Sequence, residues 1–284
     1  MPEIVDTHAH IYHPDETRYP KIVDPLRPPE GTGDIDHLLR DMQAAGVTRA
    51  VLIQTGTAYK WNNGLLAETA RAHANWAVGV CTLDPAAAES VDELERLVAG
   101  YSVRGLRMEP ARTAPDADHA RFDHPGARRL WAAALRLGIV VCAHIQRPYV
   151  PQLAALLAAY PDVPVVLDHA AYPRASEGVE SETVVQVAGL ARYPNLHLKL
   201  SFAVTGSDER YPFRDTHSIL LRLIEAFGPG RCMWGSDFPC ELWLRGKATY
   251  QSHLSVYTTE LGLSASEQAS ILKHTPLRLW FPGG

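Results

Sequence analysis

The sequence predicts an α/β fold of the (β/α)8 TIM-barrel kind, with residues 1–284 forming a single domain. Three observations lead there. Apolar, β-branched runs recur eight times along the chain, and amphipathic segments separate them. That strict alternation predicts a parallel sheet covered by helices. A chain of 284 residues suits one closed barrel. An open doubly wound sheet is the alternative, but it would carry a glycine-rich phosphate loop after its first strand, and histidines stand there instead.

The strands are expected at Ile4–His10, Ala50–Gln54, Ala77–Leu83, Val103–Met108, Ile139–Ile145, Val163–His169, Leu196–Phe202 and Cys232–Asp237. The first helix follows Asp34, a plausible N-cap, and carries an apolar stripe at positions 35, 38, 39 and 42 with Gly46 just beyond its end. Glu89–Ala99, Pro125–Leu137, Val150–Ala159, Glu182–Ala191 and Ser218–Phe227 show the same periodicity, and Gly or Pro stops several of them. Two last helices, near Tyr250–Leu261 and Ser264–His274, are expected on the exterior or base of the barrel. The longest irregular stretch, Ile11–Gly33, holds five prolines and directly follows the first strand, which places it over the barrel mouth.

Composition removes several function classes. The formal charge of −5 offers no basic footprint for nucleic acid. No run of 18 or more apolar residues suggests a membrane span, and no basic segment followed by an apolar stretch suggests a secretory signal. Cys81, Cys142, Cys232 and Cys240 form no CxxC pair, and three of them sit in strand-like runs, so reduced thiols and a cytoplasmic setting are expected.

The chemistry-bearing residues gather at predicted strand ends. His8 and His10, at i and i+2, leave one face of the first strand and can converge on one ion. His144 ends the fifth strand, His169 the sixth and Asp237 the eighth. All strand C-termini of a parallel barrel meet at one face, and that face carries the active site. A carboxylate among imidazoles suits a divalent cation and can also take a proton from water. Arg107 shares strand parity with Glu109, so both can face the interior, and a guanidinium there suits a substrate carboxylate. Arg147, Tyr149, Tyr172 and Arg174 add groups on the mouth-facing loops, and Trp61 and Trp243 are candidate aromatic walls. Together they point to a small anionic, ring-sized substrate. Lys199 is read either as inward-facing or as half of a buried ion pair.

The Asp-Thr-His-Ala-His opening, Leu-Asp-His at the sixth strand, Lys-Leu-Ser in the seventh and Gly-Ser-Asp-Phe-Pro in the eighth resemble the amidohydrolase superfamily. Within it they are similar to the amidohydrolase-2 branch of pyrone-dicarboxylate lactonases, sugar lactonases and the semialdehyde and resorcylate decarboxylases. The resemblance implies that His8, His10, His144 and Asp237 are metal ligands and that His169 is a catalytic histidine. The fourth strand offers no lysine to bridge two metals, so it implies one divalent cation, zinc-like, although pyrone-dicarboxylate lactonases of this pattern work without metal. Asp237 would act as general base and later as acid, with His169 polarising the carbonyl or orienting water. Opening of a lactone or related cyclic ester is the first expectation. Non-oxidative decarboxylation of an unsaturated or aromatic acid is the second, and a non-catalytic barrel that binds a small acid is the third. Relatives of this branch also suggest a homodimer.

Overall fold

The computed structural model describes residues 3–110 and 121–283. Eight parallel strands follow one another in sequence order: β1 Val5–His10, β2 Arg49–Ile53, β3 Ala77–Thr82, β4 Val103–Met108, β5 Val140–Ala143, β6 Val165–Leu167, β7 Leu196–Lys199 and β8 Cys232–Met233. The sheet closes on itself between its first and last strands. Thr7 N donates to Trp234 O at 3.2 Å, Asp237 N to His8 O at 2.9 Å and His10 N to Phe238 O at 2.8 Å. The barrel expectation holds.

Helices α1 Ile35–Ala45, α2 Gly56–Tyr59, α3 Gly64–Ala72, α4 Ser90–Gly100, α5 Pro125–Leu137, α6 Val150–Ala159, α7 Glu182–Gly189, α8 His217–Phe227, α9 Cys240–Trp243, α10 Tyr250–Ser255, α11 Ala265–Ala269 and α12 Thr275–Trp280 link and cover the strands. Asp34 caps α1 as its sequence implies, accepting from His37 N, and Gly46 ends the helix in the left-handed conformation. The two last expected helices are each interrupted by a π-helical turn, Val256–Glu260 and Ser270–His274. The short helices α2, α3, α9 and α12 were not expected. They carry too few turns for a periodic pattern to show in the sequence.

Strand parity fills the barrel. Val51, Ile53, Val78, Val80, Val140, Cys142, Val166 and Met233 form one interior cluster with Val5, and Trp280 of α12 belongs to it. Trp280 closes the N-terminal end, where a Cβ at Gly105 would stand only 2.9 Å from its ring. On β1 the pairing with β2 shifts register between Asp6 and Ala9. The shift explains how Val5 fills the lower core while His8 and His10, of opposite parity, reach the interior above it. Strands β5 to β8 end sooner than expected, so that His144, His169 and Asp237 stand one, two and four residues past the ends of β5, β6 and β8, where the chain turns into the mouth loops.

The segment over 11–33 has no regular structure and is tied down at its neck and along its length. Tyr12 N donates to Gly33 O at 2.8 Å, and Ile22 N and Leu26 N donate to Ala58 O and Thr57 O of α2. Its Leu26, Pro28 and Pro29 line a groove with Trp243, whose ring centroid lies 5.5 Å from that of His10. The segment therefore borders the mouth, as its position in the sequence implies.

Candidate active site

Asp6 builds the seam on which the site stands. Its buried carboxylate accepts from His8 N at 3.0 Å, Ser236 N at 2.9 Å, Ser236 Oγ at 2.6 Å and Tyr250 Oη at 2.9 Å. These bonds fix the turn after β8 against β1. Gly235 is required there, since a Cβ would meet His8 Cβ at 2.6 Å and His8 N at 3.0 Å. Asp237 follows with φ of 57°, and the Phe238–Pro239 bond after it is cis.

The structure brings His8, His10, Asp237 and His169 together. His8 Nε2 lies 3.2 Å from His10 Nε2, and Asp237 Oδ1 lies 3.7 Å from the first and 3.9 Å from the second. Ligand atoms of His8, His169 and Asp237 all lie within 4.8 Å of one another. Metal–nitrogen bonds of about 2.0–2.1 Å would put tetrahedral ligands roughly 3.3 Å apart, so this donor set fits a divalent cation. His10 Nδ1 donates to Ile53 O at 3.1 Å, which leaves Nε2 with its lone pair turned to the site. On His8 the ammonium of Lys199 donates to Nδ1 at 3.0 Å, so the ring proton resides on Nε2 and points to His10. For Nε2 to hold a cation, that proton would have to pass to Nδ1 and Lys199 would have to release one.

Beneath the histidines lies a buried ion cluster. Asp168 accepts from Lys199 Nζ at 2.8 Å through Oδ1 and from Arg107 Nε at 2.8 Å through Oδ2. Burial works to raise the Asp168 pKa, but the two cations outweigh it and hold the carboxyl ionised well below the usual range. Burial holds His8, His10, His144 and His169 neutral, with nearby cations adding to the effect, and His10 titrates only at about 3. Burial pushes Asp237 the other way, up to about 7; Asp168 and Asp6 assist, while Arg107 and Lys199 oppose. A carboxyl poised there can exchange a proton at neutral pH.

His169 is held by Ser201, whose Oγ lies 2.8 Å from Nδ1 and can donate or accept. The chain runs through His169, Ala170, Ala171 and Tyr172 with φ of 52°, 49°, 60° and 61°. Four successive left-handed residues, none of them glycine, are costly, at about 1–2 kcal/mol each. They stack the Tyr172 ring on His169 at 4.7 Å and 25°.

His144 stands one ring away, its centroid 5.9 Å from that of His169. Both nitrogens are engaged: Nδ1 lies 2.9 Å from Glu109 Oε2 and Nε2 lies 2.5 Å from Tyr172 Oη. It faces Tyr172 rather than the donor set of His8, His10 and Asp237. Arg107 reaches the interior with Glu109 as strand parity implied, but its Nε is spent on Asp168. Arg147 pairs with Glu182 at 2.6 Å, Arg174 is exposed, and Tyr149 packs against the outer core. None of these last three has a contact with the cluster among the described residues. Sequence reasoning passed over Asp168, Ser201 and Asp6. Asp168 and Ser201 share interior parity with Val166 and Lys199, which is the signal that could have found them, whereas the register shift after Asp6 hid its place.

A second grouping, His37, Asp41 and Glu241, lies outside the mouth. Gly33 N donates to His37 Nδ1 at 3.0 Å, so Nε2 keeps its proton and faces Asp41 at 3.5 Å and Glu241 at 3.7 Å. That corner is a ring N–H facing two carboxylates.

A barrel whose mouth gathers an HxH pair, a sixth-strand histidine and an eighth-strand aspartate defines the amidohydrolase class, and the amidohydrolase family model matches residues 5–281. The chain belongs to that family. Its sequence is 28% identical to L-fucono-1,5-lactonase of Burkholderia multivorans, over 97% of this chain and 95% of that protein. It is 26% identical to L-fucono-1,5-lactonase of Burkholderia ambifaria, over 83% of this chain and 80% of that protein. Among solved structures it resembles an amidohydrolase from Burkholderia multivorans with bound zinc, at 26% identity and a TM-score of 0.76 over 98% of both chains. The fold is also that of a probable 2-pyrone-4,6-dicarboxylic acid hydrolase from Acinetobacter baumannii, at 19% identity and a TM-score of 0.80 over 99% of both chains.

Proposed function

We propose that the protein is a hydrolase that opens a lactone, with Asp237 as the group that moves the proton. The observation that carries this reading is the buried carboxyl of Asp237, set 3.7 Å from His8 Nε2 and 3.9 Å from His10 Nε2 at the mouth of the barrel, where burial raises its pKa. The two curated relatives named as lactonases, similar over most of the chain, support the same reaction.

His8, His10 and Asp237 would hold one divalent cation, zinc-like, with His169 within reach and His144 the remaining candidate named by the resemblance. Such an ion supplies Lewis acidity that acidifies water and polarises an ester carbonyl. Asp237 accepts the proton of the attacking water and later returns it to the ring oxygen that leaves, so the open hydroxy acid forms with no net proton change at the carboxyl. His169, with Ser201 behind it, directs Nε2 at the carbonyl or the water, and the hydroxyl can follow either tautomer. Asp168 keeps Lys199 and Arg107 in place and so holds His8 in its orientation. The four cysteines are buried and unpaired, in keeping with a reducing compartment such as the cytoplasm. No helix among the described residues is long and apolar enough to cross a membrane.

The test is a panel of five- and six-membered lactones and aromatic acids given to the purified protein, with acid release and CO2 followed separately. Lactone opening that requires Asp237 is expected. Release of CO2 without lactone opening would overturn the reading.

A further inference from the structure

Trp243 stands between two spaces. On one side its ring lies 5.5 Å from that of His10, centroid to centroid, at an angle of 51°. On the other it is half-buried along a groove of about 490 Å3, which it lines with Leu26, Pro28, Pro29 and Leu242. The histidine is not free to yield, because its Nδ1 is bonded to Ile53 O at 3.1 Å. The backbone beneath the indole is held as well. Trp243 N donates to Pro239 O at 3.2 Å and Leu244 N to Cys240 O at 2.9 Å, and Phe238, Cys240 and Leu244 are buried in the core around it. The indole N–H is buried and makes no hydrogen bond among the described residues, so packing sets the ring and truncation strands no partner.

The far wall of the groove is equally fixed. Leu26 N donates to Thr57 O at 3.1 Å, and Pro28 packs at the neck of the mouth segment, 2.9 Å from the place a Cβ on Gly33 would take. Of the charges on the rim, Arg27 is tied to Glu16, Glu241 faces His37 Nε2 at 3.7 Å, and Arg245 is exposed to solvent. Inside, the groove offers aliphatic and aromatic surface, which suits an alkyl arm. The direct line from His10 into that surface runs through the indole.

We propose that Trp243 is a specificity-determining residue that sets the upper size of the substrate. It walls off the donor set beside His10 from the groove, so the substrate class is a compact lactone ring without an apolar arm. An arm directed at the groove meets the indole, and selectivity against it comes from that clash. Removing the indole joins the two spaces and admits alkyl-substituted lactones. The proposal rests on the lactonase reading for the reaction, and it concerns recognition rather than bond breaking.

The experiment compares wild type, Trp243→Phe, Trp243→Ala, and Trp243→Ala combined with Leu26→Trp, each checked for an unchanged circular dichroism spectrum. Kinetic selectivity is the ratio of kcat/KM for δ-decalactone, which carries a pentyl arm, to that for unsubstituted δ-valerolactone. Binding of the two corresponding lactams, which resist hydrolysis, is measured by calorimetry. In wild type the arm should count against the ligand in both readouts. The selectivity ratio and the relative affinity for the pentyl lactam should both rise about tenfold or more in Trp243→Ala, since each buried methylene is worth roughly fourfold, and by less in Trp243→Phe. Leu26→Trp, which refills the groove from its far wall, should cancel most of the gain. Should Trp243→Ala fail to fold, Trp243→Phe carries the same test. Ratios that the truncations leave unmoved would overturn the proposal, as would a wild type that favours the pentyl ligands or a gain that survives Leu26→Trp. Pentyl-lactam binding gained on truncation, with no lactone opened by wild type, would instead overturn the lactonase reading and leave the wall standing.

Discussion

Asp237 bears two opposed demands. Its pKa stands near 7 in the folded protein against an ordinary 3.8, so the folded state binds its proton more tightly than the unfolded chain does. For a carboxyl raised in this way, stability falls as pH rises from about 4 to about 7, by up to about 4 kcal/mol at 1.36 kcal/mol per unit. Asp237→Asn should therefore abolish turnover, by at least about 100-fold. In chelator-treated protein at pH 8 it should also melt at a higher temperature than wild type, and the gap should close by pH 5. A variant less stable than wild type at pH 8 would show that the buried carboxyl carries no such cost. Lys199→Met should behave differently. It leaves Asp168 buried with Arg107 alone, and losing one member of such a cluster costs roughly 3–5 kcal/mol, readable in urea unfolding. His8, His10, His169 and Asp237 were legible in the sequence because strand ends advertise themselves. The pairing of His144 with Tyr172 was not, because it depends on four left-handed residues that carry no glycine to mark them.

At the scale of elements, the seam between β1 and the turn after β8 sets the geometry of the site. Gly235→Ala drives a methyl group into the backbone and Cβ of His8, and neither can yield without moving the histidine. A loss of about 2 kcal/mol or more is expected in thermal melting, together with weaker zinc binding. An alanine variant with wild-type stability and affinity would mean that the seam has slack. The main strands and helices could be placed from periodicity, α5 and α6 to the residue. The register shift in β1 was hidden, since a bulge leaves alternation intact on both sides of itself. So were α2, α3, α9 and α12, the first of which anchors the long mouth segment.

For the whole molecule, the proposed cation would be an addition to a completed fold. The barrel core and the Trp280 plug are independent of the donor set, so a chelator should leave the far-ultraviolet circular dichroism unchanged while stripping any bound metal. Uptake of a cation would release one proton from the His8–Lys199 pair and, below about pH 7, the one on Asp237. Zinc affinity should thus fall steeply on acidification, and calorimetry in two buffers of different ionisation enthalpy should record proton release. Affinity independent of pH between 5 and 8 would place the metal elsewhere.

The same seam has a consequence in time. Asp6 and Ser236, the residues that clamp it, are 230 positions apart, and the carboxyl proposed to move the proton comes just after the second of them. A ribosome adding about 5–20 residues each second needs roughly 12–50 seconds to travel that far. Throughout that interval the histidines of β1 are already made but have no aspartate to work with. An interrupted or clipped chain would inherit the histidines without the aspartate, so on the proposed mechanism the nascent protein cannot hydrolyse anything until the strand that closes its own wall has been delivered.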